Sequence, residues 1–317
     1  MTILVTGGAG FIGSNLIDAL LGKNFKVVCV DDFNNYYNPK FKWQNIQSAA
    51  KFKNFSLFQV DIRNFRKLGE VFKKVKVDKI VHLAARAGVR PSIKNPKLAE
   101  VVNVGGTLNL LELAKIHKIP DFIFGSSSSV YGNSKKLILS EEDRVDAPIS
   151  PYAATKRCGE LMIYTYSHLY DLNCIVLRLF SVYGPRGRPD MAPYIFTKAI
   201  LTGQTITKFG KGNQARDWTH VDDIVSGIMA TLPKKVGFDI INLGNSNPVT
   251  LNTLIATLEK ICGKKAQILQ VSEIPGEVKK TYANISKAKK LLNWQPQVEL
   301  EIGLKKFVDW FQKSGRA

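Results

Sequence analysis

Two residues four apart, Tyr152 and Lys156, carry the chemistry most readily read from this sequence. Residues i and i+4 of a helix lie one above the other on a single face. Ser150-Pro151, just ahead of them, supplies a helix cap and a first-turn proline. A free tyrosine, with a pKa of about 10, is a poor base at pH 7. A cation about 4 Å away in a partly shielded site favours the phenolate by about 4 kcal/mol, roughly three pKa units. The pair therefore reads as a phenol made basic by an ammonium. Upstream, Gly125-Ser126-Ser127-Ser128-Ser129-Val130-Tyr131-Gly132 follows the apolar run Phe122-Ile123-Phe124. These serines fall at the carboxyl end of an expected strand, the edge at which open α/β sheets bind ligands. One of their hydroxyls could share a substrate oxygen with the tyrosine. Tyr-x-x-x-Lys also arises on helices by accident, so the assignment depends on what the rest of the chain holds.

The start of the chain supplies the missing context. An apolar strand over residues 2–6 runs into Thr6-Gly7-Gly8-Ala9-Gly10-Phe11-Ile12-Gly13, then into a helix-spaced stretch from Ser14 to Leu21. A second strand, Val27 to Val30, ends in Asp31 with Asp32 beside it. Glycines three apart between a strand and a helix form a dinucleotide-binding pattern. Gly7 permits the tight turn, Gly10 the approach of a pyrophosphate to the helix start, and Gly13 close helix–strand packing. Asp31 is placed to accept from ribose hydroxyls and to repel a 2′-phosphate, which favours NAD over NADP. The positive nicotinamide of such a cofactor would add to the effect of Lys156 on Tyr152. Asn34 or Asn35 could reach the ribose, and Asp61-Ile62, ending a third strand over 55–60, could meet the adenine. A helix is expected over 64–74. A fourth strand, Lys79 to Leu83, leads into Ala84-Ala85, small enough for backbone to lie against the cofactor. Arg86 and Arg90 sit in the turn that follows. A long helix over roughly 96–117 carries Asn103, expected to hold a local kink.

Alternating strands and helices in this order predict an α/β fold, a right-handed, doubly wound parallel sheet of Rossmann type. The alternation breaks after Arg178-Leu179 and the Gly/Pro/Arg-rich stretch Phe180 to Met191. A helix over 221–232 and a strand over 239–243 return to the sheet. The expected division is 1–180 with 218–243 as the NAD-binding part, and 181–217 with 244–317 as a smaller α+β substrate part.

Composition narrows the functional classes. The 317 residues suffice for one large or two unequal domains. No apolar stretch approaches the ~18 residues of a membrane span, and Met1-Thr2-Ile3-Leu4-Val5 does not read as a signal peptide. The four cysteines (Cys29, Cys158, Cys174, Cys262) lack metal-ligand spacing, so no metal is expected and a reducing cytoplasm fits. The net charge of +19 comes largely from dispersed lysines. Without an aromatic-basic motif, a solvated surface is expected rather than a nucleic-acid partner.

Taken together, the chain resembles the extended short-chain dehydrogenase/reductase family of nucleotide-sugar enzymes. The likeness rests on the Thr6-to-Gly13 loop, His82-Leu83-Ala84-Ala85 with Ala87-Gly88-Val89-Arg90, and the serine run ending Val130-Tyr131-Gly132. It rests further on Tyr152-Ala153-Ala154-Thr155-Lys156, Tyr183-Gly184-Pro185 through Met191-Ala192, and Arg216-Asp217-Trp218-Thr219-His220-Val221-Asp222-Asp223. The resemblance implies NAD as cofactor, bound by Gly7, Gly10, Phe11, Ile12, Gly13, Asp31, Asp32, Asn34, Asn35, Asp61, Ile62, Leu83, Ala84, Ala85, Asn103, Tyr152 and Lys156. It implies Tyr152 as base, Lys156 as its support and Ser127 as the shared hydroxyl. Ser128, Ser129 and Ser181 would face the sugar, Arg216 the diphosphate, and Arg90, Arg188 and Glu277 the remainder of a UDP-sugar. Glu277 stands in Ile274-Pro275-Gly276-Glu277, where the family's usual turn ends in aspartate. The activity implied is 4-epimerisation, most closely that of UDP-glucuronate, by transient oxidation at C4. Related decarboxylases carry a glutamate at the position of Ser129, and related 4,6-dehydratases an Asp-Glu pair at Ser128-Ser129; this chain has neither. UDP-glucose epimerisation, UDP-glucuronate decarboxylation and a non-catalytic NAD- or RNA-binding role are the alternatives. A homodimer paired through helices around 96–117 and 151–170 is expected, with Leu108, Leu111, Leu161 and Ile163 available to bury.

Overall fold

The computed structural model describes residues 1–272 and 280–316. The chain opens with strand β1 (Thr2–Thr6), helix α1 (Phe11–Gly22), β2 (Lys26–Asp31), α2 (Pro39–Ile46), β3 (Phe55–Gln59), α3 (Phe65–Lys74) and β4 (Lys79–His82). Helices α4 (Val89–Lys94), α5 (Pro96–Glu100) and α6 (Gly106–Ile116) precede β5 (Asp121–Ser127). Then come α7 (Pro151–Tyr170), β6 (Asn173–Leu179), β7 (Ser181–Tyr183), α8 (Ala192–Thr202), β8 (Thr205–Phe209), β9 (Ala215–His220), α9 (Val221–Thr231) and β10 (Phe238–Leu243). β11 (Pro248–Thr250), α10 (Leu251–Cys262), β12 (Gln267–Val271), α11 (Ser286–Leu292) and α12 (Leu300–Lys313) complete the order.

Seven strands form one parallel sheet in the order β10-β6-β5-β4-β1-β2-β3. The chain winds outward from β1 to β3, then crosses back to place β4 beside β1. That reversal opens a crevice beyond the carboxyl ends of β1 and β4, where such sheets bind ligands. Both faces are covered, so inner strands such as β1 and β5 are buried throughout rather than alternating, while the edge strand β3 exposes Ser56 and Gln59. Ile3, Val5, Val27, Cys29 and Ile123 pack with α1 and α9 through Leu16, Ile17, Ile224 and Ile228. Leu4, Val28, Val30, Phe122 and Phe124 pack with α3, α6 and α7 through Leu68, Phe72, Leu110 and Ile163. A third core joins α8, α10 and α12 through Tyr194, Phe196, Leu254, Leu258, Phe307 and Phe311. It lies with a three-stranded sheet, β11-β9-β7, and a parallel pair, β12-β8.

The helix expected over 96–117 is not continuous. Val101–Gly105 makes a π-helical turn between α5 and α6. Buried Asn103 holds it: its Oδ1 accepts from the Arg86 amide at 2.7 Å, and its Nδ2 donates to the Arg86 carbonyl at 3.3 Å and the Thr155 hydroxyl at 3.0 Å. The expected kink is there, and three elements share it.

His82, at the end of β4, is buried between the hydroxyls of Thr6 (2.7 Å) and Thr107 (2.9 Å). Burial, reinforced by the Lys156 charge, holds its pKa well below the usual value. Between that value and the ~6.5 of an unfolded histidine, only the unfolded chain binds the proton. Stability should therefore fall as pH drops below about 6.5, with this residue contributing up to about 1.4 kcal/mol per pH unit. Urea unfolding at pH 7.5, 6.5 and 5.5 should show a shallower dependence for His82→Gln than for the native chain.

Candidate active site

The cleft at the switch point is built first from glycines. Gly7 has φ +66°, and a Cβ on it would stand 2.8 Å from the Ala84 nitrogen. A Cβ on Gly13 would stand 2.2 Å from the Gly7 carbonyl oxygen, so α1 can approach β1 this closely only without a side chain. Gly10 precedes α1 and no side chain caps the helix, leaving its first N–H groups for an anion. At the end of β2 the buried Asp31 carboxylate accepts from the amides of Ala9 (3.1 Å) and Phe33 (2.9 Å), with Lys42 Nζ 3.7 Å away. Burial pushes its pKa up, and Lys42 and the two amides oppose that rise. Asn34 links Asp32, at 2.5 Å, to Arg86, at 3.0 Å. Asp61 is paired with Arg63 at 2.5 Å. An amide-lined helix start, a buried carboxylate one strand over and a wall of Leu83, Ala84 and Ala85 fit a dinucleotide.

The opposite end holds the reactive groups. Ser150 caps α7 by accepting from Ala153 N at 3.1 Å, and the Tyr152 amide donates to Ser92 Oγ at 3.0 Å, so α4 helps fix the helix start. The Ser127 hydroxyl accepts from Ser129 N and donates to Ser129 Oγ, both at 3.1 Å. Lys156, one turn beyond Tyr152, is buried, donates to the Gly125 carbonyl at 2.7 Å and lies over the Phe124 ring. Burial pushes the Tyr152 phenol up in pKa, while its hydrogen bond with Ser127 and the Arg188 charge pull it down. The groups that act against burial here are Ser127 and Arg188, while the Lys156 ammonium donates to the Gly125 carbonyl. Burial lowers Lys156 itself to about 8, against the pull of Glu160. Arg188 is held by both oxygens of Asp190 at 2.9 Å, and Asp190 also accepts from the Tyr36 hydroxyl.

Most of the expected residues share this one cleft. Gly7, Gly10, Phe11, Ile12, Gly13, Asp31, Asp32, Asn34, Asp61, Ile62, Leu83, Ala84, Ala85, Ser127, Ser128, Ser129, Tyr152, Lys156, Ser181 and Arg188 all line it. Asn35, Asn103, Arg90 and Arg216 are not among its lining residues. Asn35 is exposed in the turn after β2. Asn103 supports the wall through Arg86 rather than forming it. Arg90 stacks on Phe209 of β8 at 5.1 Å, and Arg216 lies on β9 with a guanidinium bond to its neighbour's carbonyl. Glu277 lies outside the described residues. Tyr36, Tyr37, Lys42, Phe180 and Met191 also line the cleft and were not anticipated. Lys42 had no motif to mark it, because only the folding back of α2 brings it to Asp31. The lining carboxylates are Asp31, Asp32 and Asp61, all at the ends of β2 and β3. Around Tyr152 the described lining offers hydroxyls and a guanidinium.

Comparison with known proteins agrees with this geometry. The model of the GDP-mannose 4,6 dehydratase family matches residues 4–307. A UDP-glucuronate 4-epimerase of Thermodesulfobacterium geofontis is 45% identical over 312 residues, covering 98% of this chain and 96% of its own. The crystal structure of UDP-glucuronic acid 4-epimerase from Bacillus cereus, in complex with UDP-glucuronic acid and NAD, superposes with a TM-score of 0.93. It is 39% identical, over 99% of this chain and 100% of that one. A UDP-glucose 4-epimerase of Thermotoga maritima, solved with UDP-glucose, has a TM-score of 0.91 at 32% identity, over 99% of both chains. Matched along nearly its whole length in sequence and in fold, the chain belongs to the GDP-mannose 4,6 dehydratase family, within the short-chain dehydrogenase/reductase-type nucleotide-sugar enzymes.

Proposed function

We propose that this protein is an NAD-dependent 4-epimerase of a UDP-sugar, with UDP-glucuronate its preferred substrate and UDP-galacturonate the product. The observation that carries this reading is the polar set at the reactive end: Tyr152, Ser127, Ser128, Ser129, Ser181 and Arg188, with no carboxylate among the described lining residues there. Dehydration or decarboxylation calls for an acid or base beyond the tyrosine, and serine hydroxyls do not supply one. Hydroxyls and an arginine can instead hold a sugar carboxylate.

NAD, when bound along Gly7–Gly13, Asp31 and Leu83–Ala85, supplies the acceptor and donor of hydride for C4 of the sugar. Tyr152 takes the proton of the 4-hydroxyl. Ser127 hydrogen-bonds that oxygen and stays with it as it becomes a ketone. The keto sugar turns about its diphosphate tether to present its other face, and Tyr152 returns the proton. Lys156 holds positive charge beside the phenolate. Arg188, clamped by Asp190 and Tyr36, sets the sugar side of the cleft. The proton transfer contributes about 10²–10⁴-fold, and positioning much of the remainder.

Incubating the protein with UDP-glucuronate and, separately, UDP-glucose tests the reading. UDP-galacturonate should form, and faster than UDP-galactose forms from UDP-glucose. Release of CO₂ with UDP-xylose, and no galacturonate, would reject it. UDP-glucose epimerisation is the second reading, favoured by neutral serines that suit a neutral sugar equally and by the Thermotoga relative.

The division into an NAD-binding part (1–180 with 218–243) and a substrate part (181–217 with 244–317) is supported by the separate apolar core of α8, α10 and α12. A homodimer through α6 and α7 is supported by the exposed Leu108 and Leu161, with Val101 and Tyr164 beside them. Leu111 and Ile163, expected to share that face, are fully buried in the monomer core instead. Sedimentation should give twice the chain mass, and Leu161→Glu should return it to one. Four free thiols suit a reducing, cytoplasmic setting. Among the described residues, no helix is long and apolar enough to cross a membrane.

A further inference from the structure

Arg316, just beyond α12, is buried, with 6% of its surface exposed. Its guanidinium donates to the Asn45 side-chain oxygen at 2.8 Å, the Phe41 carbonyl at 3.0 Å and the Gln44 side-chain oxygen at 3.2 Å. It is also sandwiched between the rings of Phe41 and Trp310, at 4.5 and 4.9 Å. All three acceptors belong to α2. From the other side, the Tyr194 hydroxyl of α8 holds the Arg316 carbonyl at 2.8 Å.

The contacts continue inward. Asn45 is buried and donates its amide to the Ala9 carbonyl at 3.0 Å, inside the glycine loop. The Ala9 N–H donates in turn to the Asp31 carboxylate. Lys42, on the same helix, is the cation beside Asp31 and Asp32. A hydrogen-bonded line thus runs from Arg316 through Asn45 and Ala9 to the carboxylate placed for the ribose. Helix α2 buries only Lys42, Asn45 and Ile46 of its eight residues, and besides the Arg316 contacts it is held by Ile46 against Ala9 and Phe33 and by Trp43 stacked on Phe33 at 3.9 Å. Burying a guanidinium among neutral oxygens is costly unless its donors are satisfied. That cost is understandable if the geometry it enforces is used.

We propose that Arg316 is a positioning residue for the dinucleotide: by clamping α2 it fixes Ala9 and Lys42 against Asp31, so that its loss weakens NAD binding. The inference rests on the reading of this cleft as an NAD site. It adds a residue just beyond α12, contributed from beside the substrate-side core, to a helix about 270 positions away in sequence.

The test is fluorescence titration of cofactor-stripped protein with NADH, for the native chain, Arg316→Met, Arg316→Lys and Asn45→Ala. Arg316→Met should raise the NADH Kd about tenfold, a shift readily resolved by titration. Its turnover at saturating cofactor should stay within about twofold of native, because this residue does not touch the reacting atoms. Arg316→Lys keeps the charge but not the fork, and should recover part of the affinity. Because the line runs through Asn45, a chain carrying both Arg316→Met and Asn45→Ala should bind NADH no worse than the weaker-binding single variant. Unchanged Kd in Arg316→Met, with only a lowered melting temperature, would overturn the proposal and leave Arg316 a structural residue. Should Arg316→Met not fold, unchanged Kd values in Arg316→Lys and Asn45→Ala would overturn it equally. A native chain that binds no NADH would fail the cleft assignment itself; a native chain that binds, with variants that bind alike, would fail this inference alone.

Discussion

The Tyr152→Phe variant is expected to lose about 10²–10⁴-fold in kcat, the contribution of one positioned proton-transfer group. The substitution removes one oxygen and leaves the ring. The helix start is unaffected, because Ser92 holds Tyr152 through its backbone amide and Ser150 caps the next residue. NAD and UDP-sugar affinities should therefore change little, and the loss should fall on kcat rather than KM. Ser127→Ala should cost less, since the phenol remains, although the hydrogen bond that draws the phenol pKa down is gone. Single-turnover measurement of UDP-glucuronate conversion separates the two variants. Native-like turnover by Tyr152→Phe would show that another group moves the proton of the 4-hydroxyl.

The largest stability effect is expected behind the site rather than in it. Arg178 of β6 and Glu160 of α7 are both almost fully buried, and pair through two contacts, at 3.0 and 2.9 Å. Glu160 also accepts from the Ser126 hydroxyl at 2.6 Å and from Arg157 at 3.1 Å. Removing one member of such a pair strands the other charge and costs about 3–5 kcal/mol. Against a typical total of about 5–15 kcal/mol, that is a large share. Arg178→Ala should accordingly unfold at much lower urea concentration. The double change Arg178→Met with Glu160→Leu should recover most of the loss, because no orphaned charge remains. Recovery of stability would not restore the site fully. Ser126 adjoins Ser127, and Glu160 opposes the depression of the Lys156 pKa. Without that carboxylate, Lys156 should lose its proton at still lower pH. An Arg178→Ala chain as stable as the native one would show that water or Arg157 compensates Glu160 in full.

Elements whose signal is local were legible from the residues alone. The glycine spacing predicts its loop because each glycine answers a short-range steric demand, and the Cβ of Gly13 would meet the Gly7 oxygen only a few residues away. Strands β1, β2 and β5 are short, mostly apolar runs whose burial between two helical layers follows from their composition. Ser150, Pro151, Tyr152 and Lys156 define a cap and one helix face within a single turn. The break at Asn103 was half legible. An asparagine in a helix marks an anomaly, but its partners on Arg86 and Thr155 come from other elements.

The sequence by itself therefore determined the fold class, the glycine loop and the tyrosine–lysine–serine set that line one cleft, because local geometry and hydrophobic period dictate them. Tertiary structure decided what lies between distant segments: Lys42 beside Asp31, Arg188 bearing on the Tyr152 phenol, and Arg316 on α2. It also decided that the Lys156 ammonium reaches the Gly125 carbonyl. Such pairings depend on how charges and rings far apart in the chain meet inside a core, where burial magnifies every interaction and no spacing rule records the partner.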